Sequence, residues 1–235
     1  MRADCRHPSP WPFGSICRTL AIVDARPGSR RRDRRGKTVA NLNEVLGDAR
    51  WHCEPPDWKL TEESLTLTTG SETDFWQETF YGFRRDDGHF LGRTIPGDFS
   101  AVATFDAQYE ILYDQAGLMM RADAQNWLKA GIEYSDDVAN FSAVATRGGR
   151  SDWSVIGVPK ISGPQQVRLT RLGGAVIVHY KGREGLWNLM RLADFPTDVA
   201  VEVGPMACSP QRAGLVARFD DFQIGPPVSN PLHAN

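Results

Sequence analysis

From about Trp51 onward the chain runs in short stretches of alternating apolar and polar residues, broken repeatedly by Gly, Pro, Asn and Asp. No window of eleven or more residues carries a strong 3.6-residue period, so the pattern predicts strands. Ser64-Leu65-Thr66-Leu67-Thr68 alternates cleanly, and Phe99, Ala101, Ala103 and Phe105 alternate with Ser100, Val102, Thr104 and Asp106. Residues 166–171 repeat the pattern before Gly173-Gly174, a pair suited to the positive φ values of a tight hairpin. Residues 175–181, 199–203 and 214–225 supply further strands, and Pro226-Pro227 stops the last one. Roughly a dozen strands result, enough for two packed antiparallel sheets.

Between Tyr113 and Ile156 three runs can be registered against one another by requiring one apolar face throughout. Pairing Met120 with Leu128, Leu118 with Ala130 and Ala116 with Ile132 makes that face wholly apolar. The same register sets Arg121, Met119, Gly117 and Gln115 opposite Trp127, Lys129, Gly131 and Glu133. The third run continues when Tyr134 meets Phe141, Ile132 meets Ala143 and Ala130 meets Ala145, leaving Ser142, Val144 and Thr146 on the polar side. Three neighbouring strands therefore share a polar face, expected to be exposed.

Composition fits one domain of this kind: 235 residues, 41% hydrophobic, with seven Trp. Charge is uneven, because residues 1–40 hold ten basic and three acidic residues while the rest holds 17 and 26. Three segments are expected: a basic arm over 1–40 outside the fold, a sandwich over 41–227, and a tail over 228–235. The arm's basic run, 26–37, fits nuclear targeting, RNA contact, a transit peptide, or simply a solvated extension. The acidic body is not expected to bind nucleic acid. The longest apolar stretch of the arm, 16–25, is broken by Arg18 and Asp24, so no membrane association is expected and the cytoplasm is the expected compartment. Cys5, Cys17, Cys53 and Cys208 have no metal-ligand spacing and suggest no disulfide framework. His7, His52, His89, His179 and His233 form no i, i+2 or i, i+4 pair, and each reads as a surface or turn residue.

The strings Thr73-Asp74-Phe75-Trp76-Gln77, Tyr81-Gly82-Phe83, Tyr113-Asp114-Gln115-Ala116-Gly117-Leu118, Trp127-Leu128-Lys129-Ala130-Gly131-Ile132-Glu133 and Ser151-Asp152-Trp153-Ser154 resemble the motifs of domain-of-unknown-function family 1349. Fungal members of that family are called regulation-of-enolase proteins. The resemblance spans about 43–225, in the family's order. It implies a concanavalin A-like lectin/glucanase jelly roll, and implies no reaction.

Chemistry has to be read from the polar face. Gln115, Arg121, Trp127, Lys129 and Glu133 form a candidate ligand-binding face, with Gly117 and Gly131 as a shallow floor and Asp74, Trp76, Gln77, Asp152 and Trp153 as rim. An exposed Trp offers the C–H face of a pyranose a stacking surface, and charged and amide groups take its hydroxyls. The plain alternative is a solvated sheet face with a Lys129–Glu133 ion pair. Three function classes follow: a carbohydrate-type binding module, a carbohydrate-active hydrolase, lyase or epimerase using Glu133, and a protein-binding metabolic regulator. For an enzyme the catalytic candidates are Glu133, Lys129 and Asp152. Gly131 and Lys129 stand where a second acid of a one-strand glycosidase pair would sit, so a partner carboxylate would come from Asp114, Asp152 or Asp74. Neither a Gly-x-Ser-x-Gly elbow nor a Gln-x-His string is present. Asp136-Asp137, Asp220-Asp221 and Asp86-Asp87-Gly88 could donate oxygens to calcium but read as turns or strand ends, so no metal and no cofactor are expected.

Overall fold

The computed structural model describes residues 31–32, 38–39, 41–158 and 162–233. Most of the basic arm therefore lies outside the described residues. In chain order the elements are β1 (Arg31–Arg32), β2 (Thr38–Val39), α1 (Leu42–Leu46), β3 (Arg50–Trp51), β4 (Asp57–Leu60), β5 (Leu65–Thr68), β6 (Phe75–Gln77), β7 (Arg84–Asp86), β8 (His89–Ile95) and β9 (Phe99–Ala107). They continue as β10 (Gln115–Asp123), β11 (Asn126–Ser135), β12 (Val138–Arg147), β13 (Arg150–Ile156), β14 (Gln165–Leu172), β15 (Ala175–Lys181), β16 (Trp187–Asp194), β17 (Val201–Cys208) and β18 (Val216–Gly225). One seven-stranded antiparallel sheet has the order β13-β12-β11-β10-β17-β8-β3, and a second has β16-β15-β14-β9-β18-β5-β4. Strands β6 and β7 form a separate ribbon, and β1 pairs only with β2. The result is an all-β sandwich, as the alternation predicts.

The core lies between the sheets. Ala116, Leu118 and Met120 of β10, Leu128, Ala130 and Ile132 of β11, and Phe141 and Ala143 of β12 share it with Phe105, Val167, Leu169, Val178, Phe219 and Phe222 of the second sheet. Burying one such aliphatic or aromatic side chain is worth about 1.5–3 kcal/mol. The β10–β11 register follows the expectation at every pair, from Gln115 opposite Glu133 to Arg121 opposite Trp127. The hairpin after β14 also forms at Gly173-Gly174, closing Leu172 on Ala175.

The β11–β12 register differs from the sequence expectation by two residues: Tyr134 meets Ala139, Ile132 meets Phe141 and Ala130 meets Ala143. The cause is the turn. Asp136 and Asp137 have φ values of 53° and 60°, so two residues suffice to join Ser135 to Val138, the left-handed pair that a tight hairpin requires. A shift of two preserves parity, so each side chain still points to the expected face.

Further expectations are corrected. The outer face of the β10–β12 region is not solvated: Gln115, Arg121, Trp127, Lys129 and Glu133 are all buried. A second apolar cluster of Phe75, Trp76, Phe90, Met119, Trp127, Val144, Met206 and Cys208 fills the space beneath the β6–β7 ribbon. His89 and His179 are buried rather than on the surface. His89 Nε2 accepts from the Gly70 amide at 2.9 Å, which leaves Nδ1–H to donate to the Cys53 carbonyl at 2.9 Å. Burial, then the Arg168 charge, pushes His179 down to about 4. Just after β18 the Val228 amide donates to Ser100 Oγ of β9 at 3.1 Å. Gly117 and Gly131 do not form a floor for a ligand. A Cβ on Gly117 would meet the Ala130 carbonyl oxygen and stand 2.6 Å from Gly131 Cα, so glycine here serves close approach of the two backbones.

Two substitutions test this packing. Ile132→Ala should cost about 2–5 kcal/mol in denaturant unfolding, by lost transfer energy and the cavity left behind. Gly117→Ala should cost about 1–3 kcal/mol by overpacking against backbone that cannot rotate away. A near-neutral result for Ile132→Ala would reverse the assignment of faces.

Candidate functional site

The site begins with two cations in the middle of a sheet. Arg121 on β10 and Lys129 on β11 are buried on the outer face, and a buried charge is costly unless a counter-charge reaches it. The ribbon brings both. Arg121 Nη1 and Nη2 donate to Asp86 Oδ1 and Oδ2 at 2.7 and 2.8 Å, a bidentate pair at the end of β7. Lys129 Nζ donates to Asp74 Oδ1 at 2.9 Å, immediately before β6. Asp74 Oδ1 also accepts from the Phe75 amide at 2.8 Å and from Gln115 Nε2 at 3.3 Å. Farther along β6, the Gln77 amide donates to Ser151 Oγ on β13 at 2.8 Å.

Beside the ribbon, a cavity of about 460 Å³ opens over the site sheet. Lys129, Glu133, Gln115 and Val144 form its floor, Trp76, Tyr81, Phe83 and Arg85 one wall, and Tyr113 and Trp153 another, with Glu72, Asp74, Pro210 and Gln211 completing the lining. Tyr113 and Trp153 meet edge to face with ring centroids 6.5 Å apart. Two further cavities, of about 650 and 610 Å³, are lined around Gln166 and Lys181 and around Asp106 and Tyr109. The first has the single ring of Phe141 beside two basic residues, and the second has two tyrosines beside carboxyl residues and no cation, so neither joins both signs of charge to several rings.

Electrostatics divide the floor. Glu133 Oε2 accepts from Ser142 Oγ at 2.5 Å and from Trp153 Nε1 at 3.0 Å. Among the described residues no hydrogen bond is made to its Oε1. Burial raises the Glu133 carboxyl above its ordinary value, and the Lys129 charge and the Ser142 hydrogen bond only partly offset this. For Lys129, burial acts downward but the Asp74 charge leads a set of upward contributions that prevails, so the ammonium is held above its usual value. The Tyr81 hydrogen bond and then burial push the Tyr113 phenol up to about 12. Cys208, under the floor, is raised well above the ordinary thiol value by burial and is a packing residue.

Of the residues singled out in the sequence, Gln115, Lys129, Glu133, Asp74, Trp76 and Trp153 line the cavity. Arg121, Trp127 and Gln77 do not. Trp127 is fully buried against Phe75, ring centroids 5.9 Å apart, and offers no stacking surface. Gln77 is buried and its Nε2 donates to the Arg85 carbonyl at 3.4 Å. Asp152 lies on the opposite parity of β13 and pairs with Arg191 at 2.7 Å. Asp114 is fully buried, accepting from the Glu110 and Ile111 amides at 3.0 Å and pairing with Arg212 at 2.6 Å. The Lys129–Glu133 ion pair of the plain alternative is replaced by Lys129–Asp74. Asp136-Asp137 forms the β11–β12 turn, and no cluster of three metal-ligating side chains occurs among the described residues. Sequence reasoning missed Tyr81, Phe83 and Tyr113 as wall residues. The aromatic pair flanking Gly82 was the available signal, since two rings on a turn need something to cover.

Comparison with known proteins gives the chain its relatives. It is 42% identical over 195 residues to the Saccharomyces cerevisiae protein named Regulation of enolase protein 1, covering 83% of this chain and 98% of that one. A crystal structure of a functionally unknown protein from the same yeast superposes with a TM-score of 0.74 at 42% identity, over 78% of this chain and 99% of the other. A Bacteroides ovatus xyloglucan-locus GH43 protein matches with a TM-score of 0.57 at 21% identity, over 72% of this chain but 34% of its own, a likeness of fold alone. Residues 51–227 match the model of the family described as protein of unknown function DUF1349, and the chain belongs to that family.

Proposed function

We propose that this chain is a carbohydrate-type binding β-sandwich whose ligand sits in the cavity between the ribbon and Trp153. One observation carries this reading: the cavity joins a polar floor of Asp74, Lys129, Gln115 and Glu133 to walls of Trp76, Tyr81, Phe83, Tyr113 and Trp153. Sugar rings present that combination of apolar C–H faces and hydroxyl edges. Its volume falls in the usual range for small-molecule sites. The cytoplasm is the proposed compartment, supported by Cys53 and Cys208 being free thiols. No helix among the described residues is long and apolar enough to cross a membrane.

A second reading, a carbohydrate-active enzyme, is favoured by Glu133. Its carboxyl lines the cavity, burial raises its pKa, and Oε1 is left without a protein hydrogen bond, as a group that gives or takes a ligand proton would need. The third, a protein-binding regulator, is what the yeast relative's name suggests. Exposed Phe80 and Tyr81 of the ribbon turn, and Ile111 and Leu112 just before Tyr113 in sequence, would be its contact residues.

Trp153→Ala should weaken binding of any cavity ligand by about 1–3 kcal/mol in calorimetry, whichever of the first two readings holds. Trp127→Ala should instead lower stability. Glu133→Gln separates the two readings: a binding module loses modest affinity, whereas an enzyme keeps its ligand and loses turnover by orders of magnitude. A Trp153→Ala variant that binds every ligand as the parent does would remove the cavity from consideration.

The raised carboxyl also has a pH signature. A group whose folded pKa lies above its unfolded value contributes stability that is complete below the unfolded pKa and is lost as pH rises through the folded pKa. Wild type should therefore lose stability relative to Glu133→Gln as pH rises above the ordinary glutamate value of about 4.3, the melting-temperature difference growing in favour of the variant. A gap that is constant with pH would show that Glu133 titrates as an ordinary carboxylate.

A further inference from the structure

The charges lining the cavity are already matched. Lys129 is committed to Asp74 at 2.9 Å, and Arg85 reaches Asp87 at 3.2 Å and Glu72 at 3.8 Å. Glu133 adds a further carboxyl beside them. A phosphate or carboxylate entering here meets no uncommitted cation among the lining residues and approaches an excess of carboxyl groups, a juxtaposition that is unfavourable. An ammonium ligand would meet the Lys129 ammonium on the floor. Hydroxyls, which both donate and accept, suit the ion pair and Glu133 Oε1 at once.

Shape narrows the ligand further. The floor residues are buried, so the cavity does not continue through the sheet. At its mouth the Tyr81 phenol from the ribbon turn comes within 3.3 Å of the Tyr113 phenol on the facing wall. A polymer lying across the sheet would have to part that contact, while a single ring or a chain end can enter beside it.

We propose that the pocket takes one uncharged sugar ring end-on, as a free monosaccharide or as the terminal unit of a chain, and rejects sugar phosphates and uronates. This inference rests on the carbohydrate reading above and specifies its ligand.

The test is calorimetry on the full chain, alongside tryptophan fluorescence reporting from Trp76 and Trp153. The probes are D-xylose, D-glucose, D-mannose, glucose 6-phosphate, glucuronate and the series from xylobiose to xylohexaose. At least one neutral sugar should bind. Affinity along the xylose series should level off near xylobiose, with each later unit adding less than about threefold, and each charged sugar should bind at least about tenfold more weakly than its neutral parent. A plateau already reached at D-xylose identifies free-ring recognition, and one reached at xylobiose identifies a chain end. Affinity that climbs with every unit to xylohexaose would overturn end-on entry, and glucose 6-phosphate or glucuronate binding as tightly as D-glucose would overturn the charge argument. Silence from every sugar would remove the carbohydrate reading and this inference together.

Discussion

Two cations on adjacent central strands cannot remain buried without counter-charges, and much of the site's architecture follows from that. Arg121 and Lys129 sit where a sheet face would normally meet water. Asp86, at the end of β7, and Asp74, just before β6, answer them from the base of the ribbon, across 35 and 55 residues of sequence. Removing one partner of such a pair leaves an unpaired buried charge, a loss of order 3–5 kcal/mol. The ribbon is thereby fixed at its base, and Phe75, Trp76, Trp127 and Met119 can close into an apolar layer beneath it.

The cavity exists because that cover is incomplete. The ribbon lies over the Arg121–Trp127 end of the strands and stops short of the Glu133 end, where Tyr113 and Trp153 stand instead. Glu133 is consequently enclosed without being sealed, held by Ser142 and Trp153 through one oxygen. One sheet thus carries a dry side, a covered side and a small opening. The opening collects polar groups that would be ruinous elsewhere in the interior.

How much of this the chain discloses depends on how local the cause is. The β10–β11 register is legible because only one pairing keeps Leu118, Met120, Leu128 and Ile132 on a common face. The β12 register was not, because Asp136-Asp137 adopts left-handed geometry without the glycine that usually marks such a turn. The cover was illegible for a different reason: β6 and β7 are three residues each, too short for periodicity, and their anchors are long-range ion pairs. A trace of it was nevertheless present. Met119 beside Met120, Trp127 beside Leu128 and Val144 between Ala143 and Ala145 put apolar side chains on both parities, the signature of a strand buried on two sides. Six of the nine binding candidates line the cavity; of the three that do not, the ribbon covers Arg121 and Trp127, and Gln77 on β6 is buried.

The ribbon's asymmetry bears on how such a protein could change. Its base is locked by Asp74 and Asp86, while its far turn bears Phe80, 93% exposed, with Tyr81 and Phe83 beside it. Tyr81 and Phe83 shape one wall of the cavity, yet none of the three holds either ion pair or belongs to either hydrophobic cluster. Substitution there can remodel what the cavity admits while the scaffold stays as it is, so residues 78–83 are where a designer could graft new sequence.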